Sequence, residues 1–178
     1  MPLELWIDFV LAWFILFPAY AANATPVLAR GKRPLDFGKK WRGARILGDG
    51  KTVEGTVLGI IAGFLVGALE YYLLPSLQAF AADVTLPQIT LLVAFAIPLG
   101  VMIGDIIGSF AKRRMGIRRG DEAPLMDQLG FIVVAILFAY PFVNITPGMA
   151  VFMLLATFAI HKAANFLAYK LRLKNVPW

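Results

Sequence analysis

The residues of this chain equipped for chemistry are a few carboxylates, a run of cations and one glycine-flanked Lys-Thr pair. In Gly104-Asp105-Ile106-Ile107-Gly108-Ser109-Phe110-Ala111-Lys112-Arg113-Arg114, helical spacings of four and three put Asp105, Ser109 and Lys112 on one face. Asp105 falls one to two turns inside an apolar stretch. An acid there is costly, so it is either a site residue or a carboxylate neutralised by Lys112 or Arg113 for assembly. Asp127 opens the next apolar stretch. As a helix-start carboxylate it contributes a few tenths to about 1 kcal/mol. Set beside Asp105 it is also a candidate metal ligand, since hard divalent cations such as Mg²⁺ take one or two carboxylates with phosphate oxygens and water. Asp121 and Glu122 are placed to pair with Arg118 and Arg119 at the surface, the plain reading for Glu122.

Gly48-Asp49-Gly50-Lys51-Thr52 joins a flexible backbone to a carboxylate, an ammonium and a hydroxyl just before a helix start, where backbone N–H groups favour anions. The Gly-Lys-Thr triplet is not a Walker P-loop: the required earlier glycine falls at Arg45, and no strand is expected before it. Asn23 and Thr25 end the first apolar stretch, where a membrane Asn serves a site or a neighbouring helix equally well. His161 and Lys162 face the bundle interior or snorkel, with a structural role favoured, and Glu70 and Asp83 fall toward the outside, far from the basic side.

These groups sit in a chain of 178 residues that is 60% hydrophobic and 16% charged. No soluble domain of this size hides that much apolar surface, so a soluble enzyme, a disordered tail and a nucleic-acid-binding module are excluded despite a net charge of +6. Without Cys and with one His, thiolate chemistry and multi-His zinc sites are excluded too. Five stretches approach the roughly 20 apolar residues a spanning helix needs: about 3–22, 53–74, 89–110, 125–142 and 148–169, the fourth being the shortest. Five crossings bring the connections at about 30–52 and 111–124, together with the C-terminus, to one side. All 17 Lys and Arg fall there. The expected architecture is an all-α, multi-pass cell-membrane protein of one domain over 1–178, with five transmembrane helices and two basic cytoplasmic loops. Its N-terminus is outside and its C-terminus cytoplasmic. No cation precedes Arg30, so the first stretch is expected to stay in the mature protein.

Gly55, Gly59, Gly63 and Gly67 recur at four-residue spacing, as do Gly100, Gly104 and Gly108. Such ridges let helix backbones approach closely and are expected to pack against neighbours, within one bundle or in a homo-oligomer. Pro18 and Pro98 fall inside spans, where each removes a backbone hydrogen bond.

Taken together, cytoplasmic cations, glycine-rich turns and two or three carboxylates at one membrane face suit a phosphate-rich ligand held with Mg²⁺, the second substrate being a lipid. At Ser109-Phe110-Ala111-Lys112-Arg113 the chain resembles the cytidylyltransferases that form CDP-alcohols, and most of all their small archaeal branch, the CDP-archaeol synthases. The likeness extends to Asn23-Ala24-Thr25-Pro26, Gly48-Asp49-Gly50-Lys51-Thr52 with Gly55, Gly104-Asp105 and Pro124-Leu125-Met126-Asp127-Gln128, and so covers nearly the whole chain. It departs from the bacterial form: Arg118 and Arg119 precede Asp121, the His-Gly-Gly element is absent, and Asp127-Gln128-Leu129-Gly130 lacks a final carboxylate.

The resemblance implies that a lipid phosphate, 2,3-di-O-geranylgeranylglyceryl phosphate, attacks the α-phosphorus of CTP with Mg²⁺ present. A CDP-lipid forms and pyrophosphate leaves, on the cytoplasmic face of the bilayer. Asp105 and Asp127, with Asp121 as a third candidate, are then expected at the metal. Lys112, Arg113 and Arg114 neutralise phosphate, Ser109 bonds a phosphate oxygen, and Asp49, Gly50, Lys51 and Thr52 close over the nucleotide beside Asn23. The residues alone leave open an ester-linked phosphatidate as acceptor, a phospholipid transporter or flippase without nucleotide chemistry, and a scaffold that tolerates neutralising Asp105.

Overall fold

The computed structural model describes residues 3–81, 84–118, 121 and 123–172. It is a helical bundle: α1 Leu3–Ala24, α2 Val53–Phe80, α3 Leu91–Arg114, α4 Met126–Ala139 and α5 Pro147–Lys170. A 3₁₀ turn, Thr25–Ala29, extends α1. Three helices start on a threonine whose hydroxyl accepts from a first-turn N–H: Thr52 from Gly55 (3.2 Å), Thr90 from Val93 (3.2 Å) and Thr146 from Met149 (3.1 Å). Asp83, Arg119, Glu122 and Lys174 lie outside the described residues.

Four of these helices are long and apolar enough to cross a membrane; α4 is not. At 14 residues it rises about 21 Å, against a hydrocarbon core near 30 Å. The fifth spanning helix expected over 125–142 is therefore a shorter apolar one. Its apolar pattern continues through Val143, but residues 140–143 turn rather than coil. Two connections are also shorter than expected. Helix α2 runs through Pro75 to Phe80, because a helix tolerates a proline that costs one hydrogen bond in the middle of an apolar run. Helix α3 carries Lys112, Arg113 and Arg114 as its last turn, where cations complement the helix dipole.

One small element in the connection between α1 and α2 is not helical. Lys40–Trp41 (β1) and Ala44–Arg45 (β2) form a small antiparallel hairpin. Its two turn residues, Arg42 (φ 52°) and Gly43 (φ 82°), both take positive φ, as a two-residue turn of this handedness demands. A strand thus does precede 48–52, though Arg45 still occupies the position where a P-loop needs glycine.

Small residues set the packing. Helix α2 lies in a groove between α1 and α3, and its buried face reads Gly55, Gly59, Gly63, Gly67 and Glu70. A methyl on Gly63 would stand 2.5 Å from the Pro98 ring and 2.8 Å from the Pro18 carbonyl oxygen, so the glycine makes room for both prolines. Gly67 is as tight against Ala94 (2.9 Å). On α3, Gly100 and Gly104 press on α4 at Ala135 and Phe131 (both 2.9 Å). Gly108 is the exception: among the described residues only Met126 is near, at 3.8 Å, where a pocket opens. Beneath these contacts Ile15, Leu16, Ile97, Val101, Ile132 and Met153 form the core.

Candidate active site

The 30–52 connection, read from sequence as a basic loop, is folded around one buried carboxylate. Asp36 accepts hydrogen bonds from the backbone N–H of Gly38 (3.1 Å), Leu47 (2.9 Å) and Gly48 (3.0 Å). The Arg45 guanidinium closes on the same carboxylate through Nη2 (2.6 Å) and Nε (3.2 Å), and reaches Asp49 through Nη1 (2.6 Å). The Arg45 hydrogen bonds, helped by the three N–H donors and opposed by burial, hold Asp36 well below the usual carboxylate range.

Arg114 fastens this loop to α3. It donates to the carbonyls of Trp41 (2.5 Å) and Arg45 (2.6 Å), and its guanidinium lies over the Trp41 ring, which stacks on Phe110 at 5.5 Å. The other edge is tied to α2: Val53 N–H donates to the Arg33 carbonyl (3.0 Å), and the Arg33 guanidinium pairs with Glu54 (2.9 Å). Residues 48–52 are thereby held over the end of the bundle, with Gly48 at φ 89°, a conformation that suits glycine.

Under them lies a cavity of about 570 Å³, within the range of small-molecule sites. It is walled by the C-terminal ends of α1, α3 and α5 and the N-terminal ends of α2 and α4, so successive helices run in opposite directions, α4 included. Nine of the twelve residues singled out from sequence line it: Asn23, Asp49, Gly50, Lys51, Thr52, Asp105, Lys112, Asp121 and Asp127. Two ion pairs cross it. Lys51 of the loop meets Asp105 of α3, and Lys112 of α3 meets Asp127 of α4. Asp127 also accepts from the Ala123 N–H (2.9 Å), fixing the turn into α4. Asp121 pairs with Arg118 at 3.7 Å, as the surface reading has it, yet still borders the cavity.

The other three candidates stand elsewhere. Arg114 is engaged by the hairpin, as described, and does not line the cavity. Arg113, one residue along the helix and so turned off the Asp105 face, donates to the Ile117 carbonyl (2.5 Å). Ser109 is buried, and it bounds a niche of about 20 Å³ together with Asp105, Lys112 and Asp127. That niche is on the scale of a single water.

The structure also adds walls that spacing did not single out. Arg30 and Thr56 line the cavity, as do Gln128 and, from α5, His161 and Asn165, bonded to one another at 3.1 Å. The sequence places His161 toward the bundle interior or at the interface and favours a structural role. The signal that would have found it is the four-residue series Thr157, His161, Asn165, which prolongs the buried Met149 and Met153 on one face of α5.

Known proteins match this chain along nearly its whole length. A family model described as CarS-like, CDP-archaeol synthase, matches residues 5–178. A CDP-archaeol synthase of Thermococcus gammatolerans is 49% identical over 93% of this chain and 94% of its own. One from Halorubrum lacusprofundi is 43% identical over 94% and 96%. A solved structure described as an intramembrane enzyme for archaeal membrane lipids biosynthesis superposes with a TM-score of 0.72 at 42% identity, covering 85% of this chain and 90% of that one. With a matching fold and this extent of identity along most of its length, the chain belongs to the CDP-archaeol synthase family.

Proposed function

We propose that this multi-pass membrane protein is a CTP-dependent cytidylyltransferase that activates an archaeal lipid phosphate to its CDP-lipid and releases pyrophosphate. Family membership supports the reaction. The observation that carries the site is the meeting of the two carboxylate–lysine pairs, Lys51–Asp105 and Lys112–Asp127, at one cavity at the end of the bundle. The proposed acceptor is 2,3-di-O-geranylgeranylglyceryl phosphate.

In such a transfer an oxygen of the lipid phosphate forms a bond to the α-phosphorus of CTP while the bond to the pyrophosphate oxygen breaks. The attacking phosphate is already ionised, so no side chain has to remove a proton. What remains is positioning and charge neutralisation. Lys51 and Lys112 carry the charge for this, and both are held by carboxylates until phosphate oxygens compete for them. Thr52 and the 48–52 backbone sit at the start of α2, where N–H groups favour a phosphate. Asn23 completes the polar wall.

The residues fit Mg²⁺. Asp105 and Asp127 are hard oxygen donors that both line a water-sized niche with Ser109, and one or two carboxylates plus substrate phosphates is the ligand set this ion prefers. Bound there, Mg²⁺ would draw off charge from the phosphates being exchanged. Asp121, on the rim, is a less direct candidate. The two carboxylates would then give up their lysines to the triphosphate and take the metal in exchange.

The basic loops and the cavity are proposed to face the cytoplasm, with the N-terminus outside, because cations are retained on that side. The direct experiment is conversion by purified protein in membranes supplied with CTP, Mg²⁺ and the isoprenoid phosphate. Formation of CDP-lipid is expected; lipid movement without CTP consumption would instead indicate a transporter.

A further inference from the structure

Resting on the reading above, we propose that α5 supplies the seat for the phosphate of the lipid acceptor, through His161 and Asn165, with Gln128 of α4 and Arg30 lining the same cavity. The cations on the α2–α3 side are already matched to carboxylates: Lys51 to Asp105, Lys112 to Asp127 and Arg45 to Asp36 and Asp49. Arg30 lines the same cavity with no carboxylate partner among the described residues. Gln128 is 2% exposed and its side-chain oxygen has no hydrogen-bond partner among the described residues. A buried amide oxygen left so is costly, and turning the amide by half a turn puts its NH₂ group in that place, where it donates to an anion.

The position of α5 selects the lipid rather than the nucleotide. Toward its C-terminal end the inward face changes from buried Met149, Met153 and Thr157, the last held to Tyr20 at 3.0 Å, to partly exposed His161 and Asn165. Its outward face there carries Ile160, Phe166 and Leu167, which are 40–58% exposed. The helix thus presents polar groups to the cavity and apolar ones to the hydrocarbon. Val27, which borders the cavity and is 77% exposed, adds an apolar rim on the α1 side. A lipid enters with its phosphate inward and its chains left in the bilayer, so the wall that backs onto the bilayer is the one that meets it, while the nucleotide comes in under the 48–52 loop.

The test measures binding apart from turnover. The full chain in nanodiscs is titrated, without CTP, with a short-chain diprenylglyceryl phosphate, the matching unphosphorylated diether and inorganic phosphate, and separately with CTP and Mg²⁺. Wild type is expected to bind the lipid phosphate at least about tenfold more tightly than either control. Asn165→Asp, which sets a negative charge against the phosphate, and His161→Ala should each weaken lipid-phosphate binding and raise its KM about tenfold or more, with CTP affinity unchanged. His161→Gln, which keeps a donor, should recover part of the loss. Unchanged lipid-phosphate binding in both variants, a loss of CTP affinity instead, or equal binding of inorganic phosphate would each overturn the seat. Wild-type protein that binds both ligands yet forms no CDP-lipid would instead sink the cytidylyltransferase reading and leave the seat standing.

Discussion

Asp105 and Asp127 are told apart from ordinary membrane carboxylates by their company, each held by a lysine from a different element at one cavity. Asp105→Asn and Asp127→Asn should each cut turnover by at least about a hundredfold, the scale of losing a group that stabilises developing charge, while the protein stays folded and monodisperse. Near-normal rates in both would remove the proposed metal site. Asp36 acts one step back. Its depressed native pKa means that its contribution to the loop is present above the unfolded carboxylate value near 4 and is lost only as pH falls through the lower native value. Hydrogen-exchange protection of the Leu47 and Gly48 amides should therefore persist at pH 4. In Asp36→Asn, protection should fall and the KM for CTP should rise about tenfold, because residues 48–52 lose their anchor. The sequence makes Asp105 conspicuous, since an acid in an apolar helix has to be explained. It gives no hint that Asp36 is buried, because in a loop with many cations a carboxylate looks like one more surface charge.

Among the elements, the glycine ridge of α2 is the part whose sequence reading holds most completely. Lipid tails are as apolar as side chains, so close approach rather than hydrophobic burial joins such helices. Gly63 and Gly67 have no space for even a methyl. Gly63→Val should lower stability by about 1–3 kcal/mol, the usual cost of overpacking, read as loss of monodisperse protein on heating in detergent. Gly108→Ala, where the neighbours stand back, should cost far less. Helix α4 shows where periodicity stops informing. Its apolar residues run on past the helix end, and only the turn at residues 140–143 ends it at 14 residues. The hairpin escapes a sequence reading because two residues per strand carry no alternation to detect, and Arg42-Gly43 is not the usual turn pair.

For the molecule as a whole, orientation is the statement with the widest consequence. The chain has no cysteine, so a single introduced thiol reports its own side. Met115→Cys, at the cavity end, should react with an impermeant maleimide only from the cytoplasm, and Phe80→Cys, at the far end of α2, only from outside; both positions are exposed. The reverse pattern would place the site on the outer face. Membrane class, the number of apolar segments, the small-residue ridges and most of the cavity's charged residues were determined by the sequence alone, because hydropathy, charge asymmetry and helical spacing are local properties that act over one or two turns. The tertiary structure decided which charges meet. It turned Arg113 and Arg114 away from the cavity, since neighbours on a helix point about 100° apart. It also brought Lys51 to Asp105 across 54 positions of chain and set α5 as the far wall, because contacts between distant segments depend on how helices cross, which no local spacing encodes.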